Sequence, residues 1–345
     1  MHGLPDETLV QILAALSGIE ISTAVVRVSQ TWHELRSSTI FRAARAAVDE
    51  RGLVVAGGWN VEGDPVRICR VLAGGRWWKR APLPHDLLGS STTFRGELVL
   101  LGREYDGAPW SKCCRAFNLE ANAWRSLAWE ADQCVYACCA TDTVVVALSR
   151  ANDRIRLRSL RPGGVEGWVP IPDPPVEVMS VSECPPSLCC VGEVLYLVGG
   201  QDQPTYGDAL QSYDLSTRAW TVRSPLPVSR CESKCVLLAG RLYVVGGYGE
   251  RLASVFSYDP RTDRWRSESP LPFENYDIFY GDSDFSTISA MSAVAHEGRL
   301  VVLGIKSAPP LALVDGGWTE LSPLPPIPGS GATARPAHVA SLYLL

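Results

Sequence analysis

The strongest constraint on this fold is a period. Strand-like apolar runs ending in Gly or another small residue recur roughly every 48 residues, a spacing typical of repeat architectures. They lie at 53–58, 98–102, 144–149, 195–200, 242–247 and 300–304. A Trp follows each run 14–22 residues later, at Trp78, Trp124, Trp168, Trp220, Trp265 and Trp318. Four of these Trp precede one tripeptide: Pro82-Leu83-Pro84, Pro225-Leu226-Pro227, Pro270-Leu271-Pro272 and Pro323-Leu324-Pro325. Trp168 has a looser copy, Pro170-Ile171-Pro172. Between glycines and Trp stand Ser212-Tyr213-Asp214, Ser257-Tyr258-Asp259 or Phe117-Asn118.

A 44–57-residue unit of short strands suits a four-stranded propeller blade. Paired glycines permit positive φ and close backbone approach where the second strand ends. The Trp supplies large apolar area between neighbouring sheets. These motifs resemble the kelch repeat over residues 50–345, most strongly at 188–227 and 235–272; the unit at 134–172 lacks the double Gly and the Tyr. The first unit starts at its second strand, and the stretch His338-Val-Ala-Ser-Leu-Tyr-Leu-Leu345 is a lone strand. It is expected to supply the missing inner strand of blade 1 and close the ring, which leaves only short protected edges.

Residues 1–48 read as helices. Leu9, Ile12, Leu13 and Leu16 form an i, i+3, i+4, i+7 stripe, with Pro5 at the entrance and Gly18 at the end. Val25, Val28, Trp32 and Leu35 share a face of a second helix, and Phe41, Ala44 and Val48 mark a third. So small a core is marginal alone, and apolar surface is left for a partner. Leu4-Pro5 at the start, the Ile12-Leu13 pair, the segment Val28-Ser29-Gln30-Thr31-Trp32-His33-Glu34-Leu35 and the pair Ile40-Phe41 resemble an F-box. Ser29 and Gln30 depart from the family's usual Cys and basic residue, and Ser17-Gly18 from its common Leu-Pro. The expected fold is therefore a small all-α N-terminal F-box (1–48) followed by an all-β, six-bladed kelch-type β-propeller (50–345) closed by the C-terminal strand. A helical cap that only stabilises blade 1 is the alternative.

Composition narrows the partners. A net charge of −5 provides no basic field for nucleic acid or an anionic membrane. No run approaches a membrane span, and the N-terminus lacks the basic start of a signal peptide. Eleven Cys include three vicinal pairs, Cys113-Cys114, Cys138-Cys139 and Cys189-Cys190. Neighbours on a strand point to opposite faces, so vicinal pairs are poor disulfide partners. Cys serving as small apolar fillers in a reducing cytoplasmic or nuclear protein is the expectation. Five His at no ligand spacing, and no C-x-x-C, nucleophile elbow, P-loop or GxGxxG, argue against a metal site, a cofactor and catalysis. Kelch-type propellers include metal-dependent oxidases and specifier proteins, so a propeller enzyme stands as a further alternative.

Loops carry the binding candidates. Trp59, Tyr105 and Tyr248 follow strand-ending glycines, and Arg230 precedes a short apolar strand where kelch units often place a pocket-facing Arg. The long loop after Pro272 mixes Tyr276, Phe279, Tyr280 and Phe285 with acids, a composition suited to interface anchors. The 173–186 loop is a second insertion. Arg154, Arg156 and Arg158 alternate with Ile155 and Leu157, as in a solvated outer strand. The F-box resemblance implies docking on a Skp-type adaptor and a cullin scaffold through Leu4, Pro5, Leu9, Ile12, Leu13, Leu16, Val25, Val28, Trp32 and Leu35. The propeller would then hold a target protein for ubiquitination. The stretch from Gly199-Gly200 and the segment Arg230-Cys-Glu-Ser-Lys234-Cys235 are similar to the plant F-box kelch group, whose members target ammonia-lyases and response regulators.

Overall fold

The computed structural model describes residues 51–58, 66–73, 76–105, 111–127, 135–151, 154–162, 167–176, 185–202, 205–249, 253–272, 291–303, 309–323 and 338–343. The helical reading of residues 1–48 lies outside the described residues.

The period translates into six four-stranded antiparallel sheets. Within a blade the chain runs outward by short hairpins. Several turn at a left-handed pair that suits the strand twist: Arg95-Gly96 (φ 50° and 77°), Ala239-Gly240 (49° and 75°) and Glu297-Gly298 (47° and 70°). Six inner strands, Asp86–Phe94, Val135–Ala140, Ser187–Val191, Lys234–Leu238, Ser292–His296 and His338–Tyr343, each touch the next around a complete circle. The sheets thus form a six-bladed propeller.

The last inner strand comes from the C-terminus. His338–Tyr343 pairs antiparallel with Arg51–Ala56, His338 opposite Ala56 and Tyr343 opposite Arg51. Blade 1 is built from both ends of the propeller's chain, as the lone terminal strand predicts.

Second strands are buried on both faces, so they read as unbroken apolar runs. Leu53 and Val55 pack against Val301 and Leu303 of blade 6. Val54 and Ala56 pack against Leu98 and Leu100 of blade 2. Six such apolar layers lie between successive blades.

In most blades a Trp binds those layers together, whereas the buried Nε1 of Trp168 in blade 3 has no partner among the described residues. Trp124 Nε1 donates to Ala81 O (2.8 Å), Trp220 to Pro172 O (2.9 Å), Trp265 to Ser224 O (2.8 Å) and Trp318 to Ser269 O (3.1 Å). Each acceptor belongs to the preceding blade. Ala81, Ser224 and Ser269 stand just before a Pro-Leu-Pro turn, whose Leu83, Leu226 and Leu271 are each 3% exposed. The acceptor's own N–H is held as well. Ala81 N donates to Asn122 Oδ1 (2.9 Å) and Ser224 N to Asp263 Oδ1 (3.0 Å). The Tyr-Asp motif shapes the turn that presents the Trp. Asp214 Oδ1 accepts from Ser216 N and Thr217 N, while Tyr213 lies 5.1 Å from Trp220, centroid to centroid.

Blade 1 corrects the sequence reading. Trp77, not Trp78, is the blade-closing Trp. Trp77 pairs with Leu72 as Trp220 pairs with Tyr213, and its Nε1 donates to Ser322 O at 3.0 Å. Trp78 points to the other face of the strand, and its buried Nε1 has no partner among the described residues. The two Trp are adjacent, and a strand reverses faces with every residue, so a one-residue difference in register decides which of them closes the blade. Blade 3 corrects a second expectation. Arg154–Leu160 is the third strand of its sheet, and the outer strand is only Val169–Pro170. Ile155 and Leu157 are buried (4% exposed each), and Arg156 reaches Asp173 at 3.3 Å in an exposed pair of little energetic weight.

Candidate protein-interaction site

In every blade the second strand ends, and the inner strand begins, at the same end of the ring. Chain connections between blades therefore converge there. Blades 4 and 5 show how the sequence shapes this end. Gly199 (φ 66°) and Gly247 (φ 93°) close their second strands. A Cβ on Gly199 would sit 2.2 Å from Arg230 O, and one on Gly247 would sit 2.4 Å from Cys231 O. Paired glycines are required because the segment entering blade 5 crosses directly over them.

Arg230 is the centre of that crossing. Its backbone N donates to Gly207 O (2.9 Å), and its O accepts from Gly200 N (3.0 Å). Its side chain, 1% exposed, turns to blade 5. Nη1 donates to Gly246 O (2.8 Å) and Nη2 to Ser254 Oγ (2.6 Å), with the guanidinium 5.1 Å from the Phe256 ring centroid. Burial lowers its ionisation to about 10, which leaves it charged at neutral pH. Arg230 thus works as a clasp across the seam of blades 4 and 5, with both terminal nitrogens held by protein acceptors and its buried Nε without a partner among the described residues.

Tyr248 is brought to the same place. Tyr248–Gly249 pairs with Arg230–Cys231 in a two-stranded ribbon, Tyr248 opposite Cys231. A second ribbon, Gln201–Asp202 with Thr205–Tyr206, follows the blade 4 glycines. Tyr105 ends the second strand of blade 2, opposite Asp86. Trp59, Tyr276, Phe279, Tyr280 and Phe285 lie outside the described residues, as do Leu4, Pro5, Leu9, Ile12, Leu13, Leu16, Val25, Val28, Trp32 and Leu35. Leu271 and Met291, which flank the aromatic loop, both pack in the layer between blades 5 and 6.

The structure adds residues that the sequence reading passed over. Gln211, fully buried, accepts from Val176 N (2.8 Å) and donates to Val176 O (2.9 Å), pinning the start of the 173–186 loop to blade 4. Gln211 stands beside Ser212 in a strand of mixed polarity, Leu210–Asp214, so nothing in the local sequence marked it. A groove of about 620 Å³ opens between blades 3 and 4, walled by Val144, Ile171, Pro172 and Tyr213 and edged by Arg161 and Arg218. Among the described residues no group of three or more His, Cys, Asp or Glu could hold a metal ion. The two ribbons lie at the end where the inter-blade connections gather, and the groove lies towards the opposite end, where Val144 precedes its second strand and Arg218 turns between the third and fourth strands of blade 4.

Known proteins support the repeat reading. Residues 184–227 and 229–272 match the Kelch motif, which are blades 4 and 5 with their connections. The chain is 36% identical over 139 residues to Kelch-like protein 35 of Mus musculus, covering 40% of this chain and 20% of that protein. It is 30% identical over 133 residues to Kelch repeat and BTB domain-containing protein 12 of Danio rerio (34% of this chain, 19% of that protein). It is also 30% identical over 125 residues to an F-box/kelch-repeat protein of Arabidopsis thaliana (33% of this chain, 26% of that protein). Each match spans about a quarter or less of the relative's length.

Proposed function

We propose that this chain is the substrate-recognition subunit of an SCF-type (Skp–cullin–F-box) ubiquitin ligase. The observation that carries the reading is the coincidence of two modules. A kelch-motif propeller, similar to kelch-like and F-box/kelch-repeat proteins, follows a stretch with the order and spacing of an F-box. Residues 4–48 dock a Skp-type adaptor through Leu4, Pro5, Leu9, Ile12, Leu13, Leu16, Val25, Val28, Trp32 and Leu35, and so recruit the cullin scaffold. The propeller holds a target protein at the end where the inter-blade connections gather, raising its effective concentration near the ubiquitin-conjugating enzyme. The chain does no bond chemistry itself and works in the cytoplasm or nucleus.

A kelch scaffold without a ligase role is the second reading; the family match confined to blades 4 and 5 supports it equally. Affinity capture with cullin ligases inhibited separates the two. The wild-type chain brings down adaptor and cullin, and the Leu4→Ala/Pro5→Ala variant loses both while keeping proteins held by the propeller. A wild-type capture without adaptor or cullin overturns the ligase reading.

A further inference from the structure

The vicinal cysteines divide between blade seams. Cys114 and Cys138 lie in the layer between blades 2 and 3. Cys139 and Cys190 share the layer between blades 3 and 4, and Cys189 and Cys235 the layer between blades 4 and 5. Strand alternation explains the split: Cys189 and Cys190 are neighbours in Ser187–Val191 and face opposite sides. Three successive seams therefore each hold one cysteine from either blade.

At the middle seam the two sulfurs touch. Cys139 Sγ and Cys190 Sγ stand 2.8 Å apart, each residue 7% exposed. Carbon atoms in optimal contact lie about 3.5–4.0 Å apart and a disulfide bond is about 2.05 Å long, so this separation falls between contact and bond. The two cysteines sit on the inner strands Val135–Ala140 and Ser187–Val191, which pack directly against each other. The two sulfurs need approach each other by less than about 1 Å to reach bonding distance.

We propose that Cys139 and Cys190 are an oxidative cross-linking site, forming a reversible disulfide that staples blade 3 to blade 4, with a peroxide as the oxidant. One sulfur attacks a peroxide oxygen; the O–O bond breaks, one water leaves and a sulfenic acid remains. The second sulfur then forms the S–S bond and the S–O bond breaks, releasing another water. Two thiols are oxidised by two electrons, hydrogen peroxide is reduced, and both thiol protons leave in water. Burial and the neighbouring thiols raise the ionisation of Cys139 well above its ordinary value. At Cys139 the thiolate is therefore scarce and the reaction slow, and burial of both residues admits only a small oxidant. The staple stiffens the seam that lines the groove with Val144, Ile171 and Tyr213.

The test uses the full-length chain, purified reduced, then treated with hydrogen peroxide. The intact mass falls by two hydrogens, and a non-reducing digest joins the peptides carrying Cys139 and Cys190. The midpoint of thermal unfolding rises by roughly 5–10 °C, since closing a loop of this size constrains the unfolded chain. Dithiothreitol reverses both changes. A Cys138→Ser chain retains the joined peptide, and a Cys190→Ser chain loses it. Fragmentation of the joined wild-type peptides assigns the bond to Cys139 rather than Cys138 and to Cys190 rather than Cys189, so the reading does not depend on any variant folding. Recovery of Cys139 and Cys190 as free thiols or sulfinic acids, or bridged to other cysteines, overturns the proposal.

Discussion

Trp77 of blade 1 donates its indole N–H to the carbonyl of Ser322 in blade 6, across 245 residues of sequence and a distance of 3.0 Å. The bond repeats, at the ring's closure, the link that Trp124, Trp220, Trp265 and Trp318 make to their preceding blades. Its neighbour Trp78 has a buried N–H without such an acceptor among the described residues. This difference is testable. Trp77→Phe keeps most of the apolar area but loses the hydrogen bond and leaves Ser322 O without its indole donor, at a cost of about 1–2 kcal/mol. Trp78→Phe removes an unpaired buried donor and is neutral within about 0.5 kcal/mol. Denaturant midpoints of the two variants check the order.

Ring closure depends on the strand His338–Tyr343, which forms the six-residue register with Arg51–Ala56 and meets the inner strands of blades 2 and 6. Removing residues 338–345 exposes a flat edge on Arg51–Ala56 and opens the ring. The truncated chain is expected to melt at least ~5 °C lower, or to aggregate, since several kcal/mol are lost at about 1–2 °C each for a chain of this size. An unchanged melting temperature would mean that the terminal strand is dispensable.

The glycine crossing gives a graded prediction. Gly199→Ala places a methyl 2.2 Å from Arg230 O and is expected to cost about 3 kcal/mol or more. Gly240→Ala, at φ 75° with nothing within 4 Å, carries only the left-handed penalty of about 1–2 kcal/mol. Urea unfolding of the pair measures the difference.

The Arg230 clasp can be dissected by a double-mutant cycle. Arg230→Ala leaves Gly246 O and Ser254 Oγ without their cationic donor and is expected to destabilise by about 2–4 kcal/mol. Ser254→Ala costs about 1 kcal/mol, and the double variant costs less than the sum because the two share one hydrogen bond.

The buried thiols predict alkaline lability. Burial pushes Cys69, Cys113, Cys114 and Cys138 from an ordinary value of 9.0 up to about 12. Between these values the unfolded chain has released the protons and the folded chain has not. Stability is therefore whole below about pH 9 and falls as pH rises towards about 12, by about 1.4 kcal/mol per pH unit for each thiol. Thermal melts under reductant at about pH 8, 9 and 10 follow the fall, which is shallower for Cys114→Ala.

The architecture was legible because its determinants are local and repeated. The period, the Gly pairs and the Pro-Leu-Pro turns place the blades, and the lone terminal strand marks the closure. The errors have equally local causes. Trp77 and Trp78 are adjacent and differ only in which face of Arg76–Lys79 each occupies, which composition does not encode. Arg230 reads as a pocket residue by position, yet its acceptors are Gly246 O and Ser254, whose approach depends on how blade 5 packs on blade 4. Gln211 and the Cys139–Cys190 contact were hidden for the same reason: each joins segments that only the ring brings together.

The proposed ligase role depends on residues 1–48 docking a Skp-type adaptor. The direct measurement is binding of the purified full-length chain to a purified Skp-type adaptor, followed by size-exclusion chromatography and titration calorimetry. The expected result is a one-to-one complex that Leu4→Ala/Pro5→Ala abolishes without lowering the melting temperature of the propeller. Separate elution of the intact, folded chain and the adaptor would contradict it.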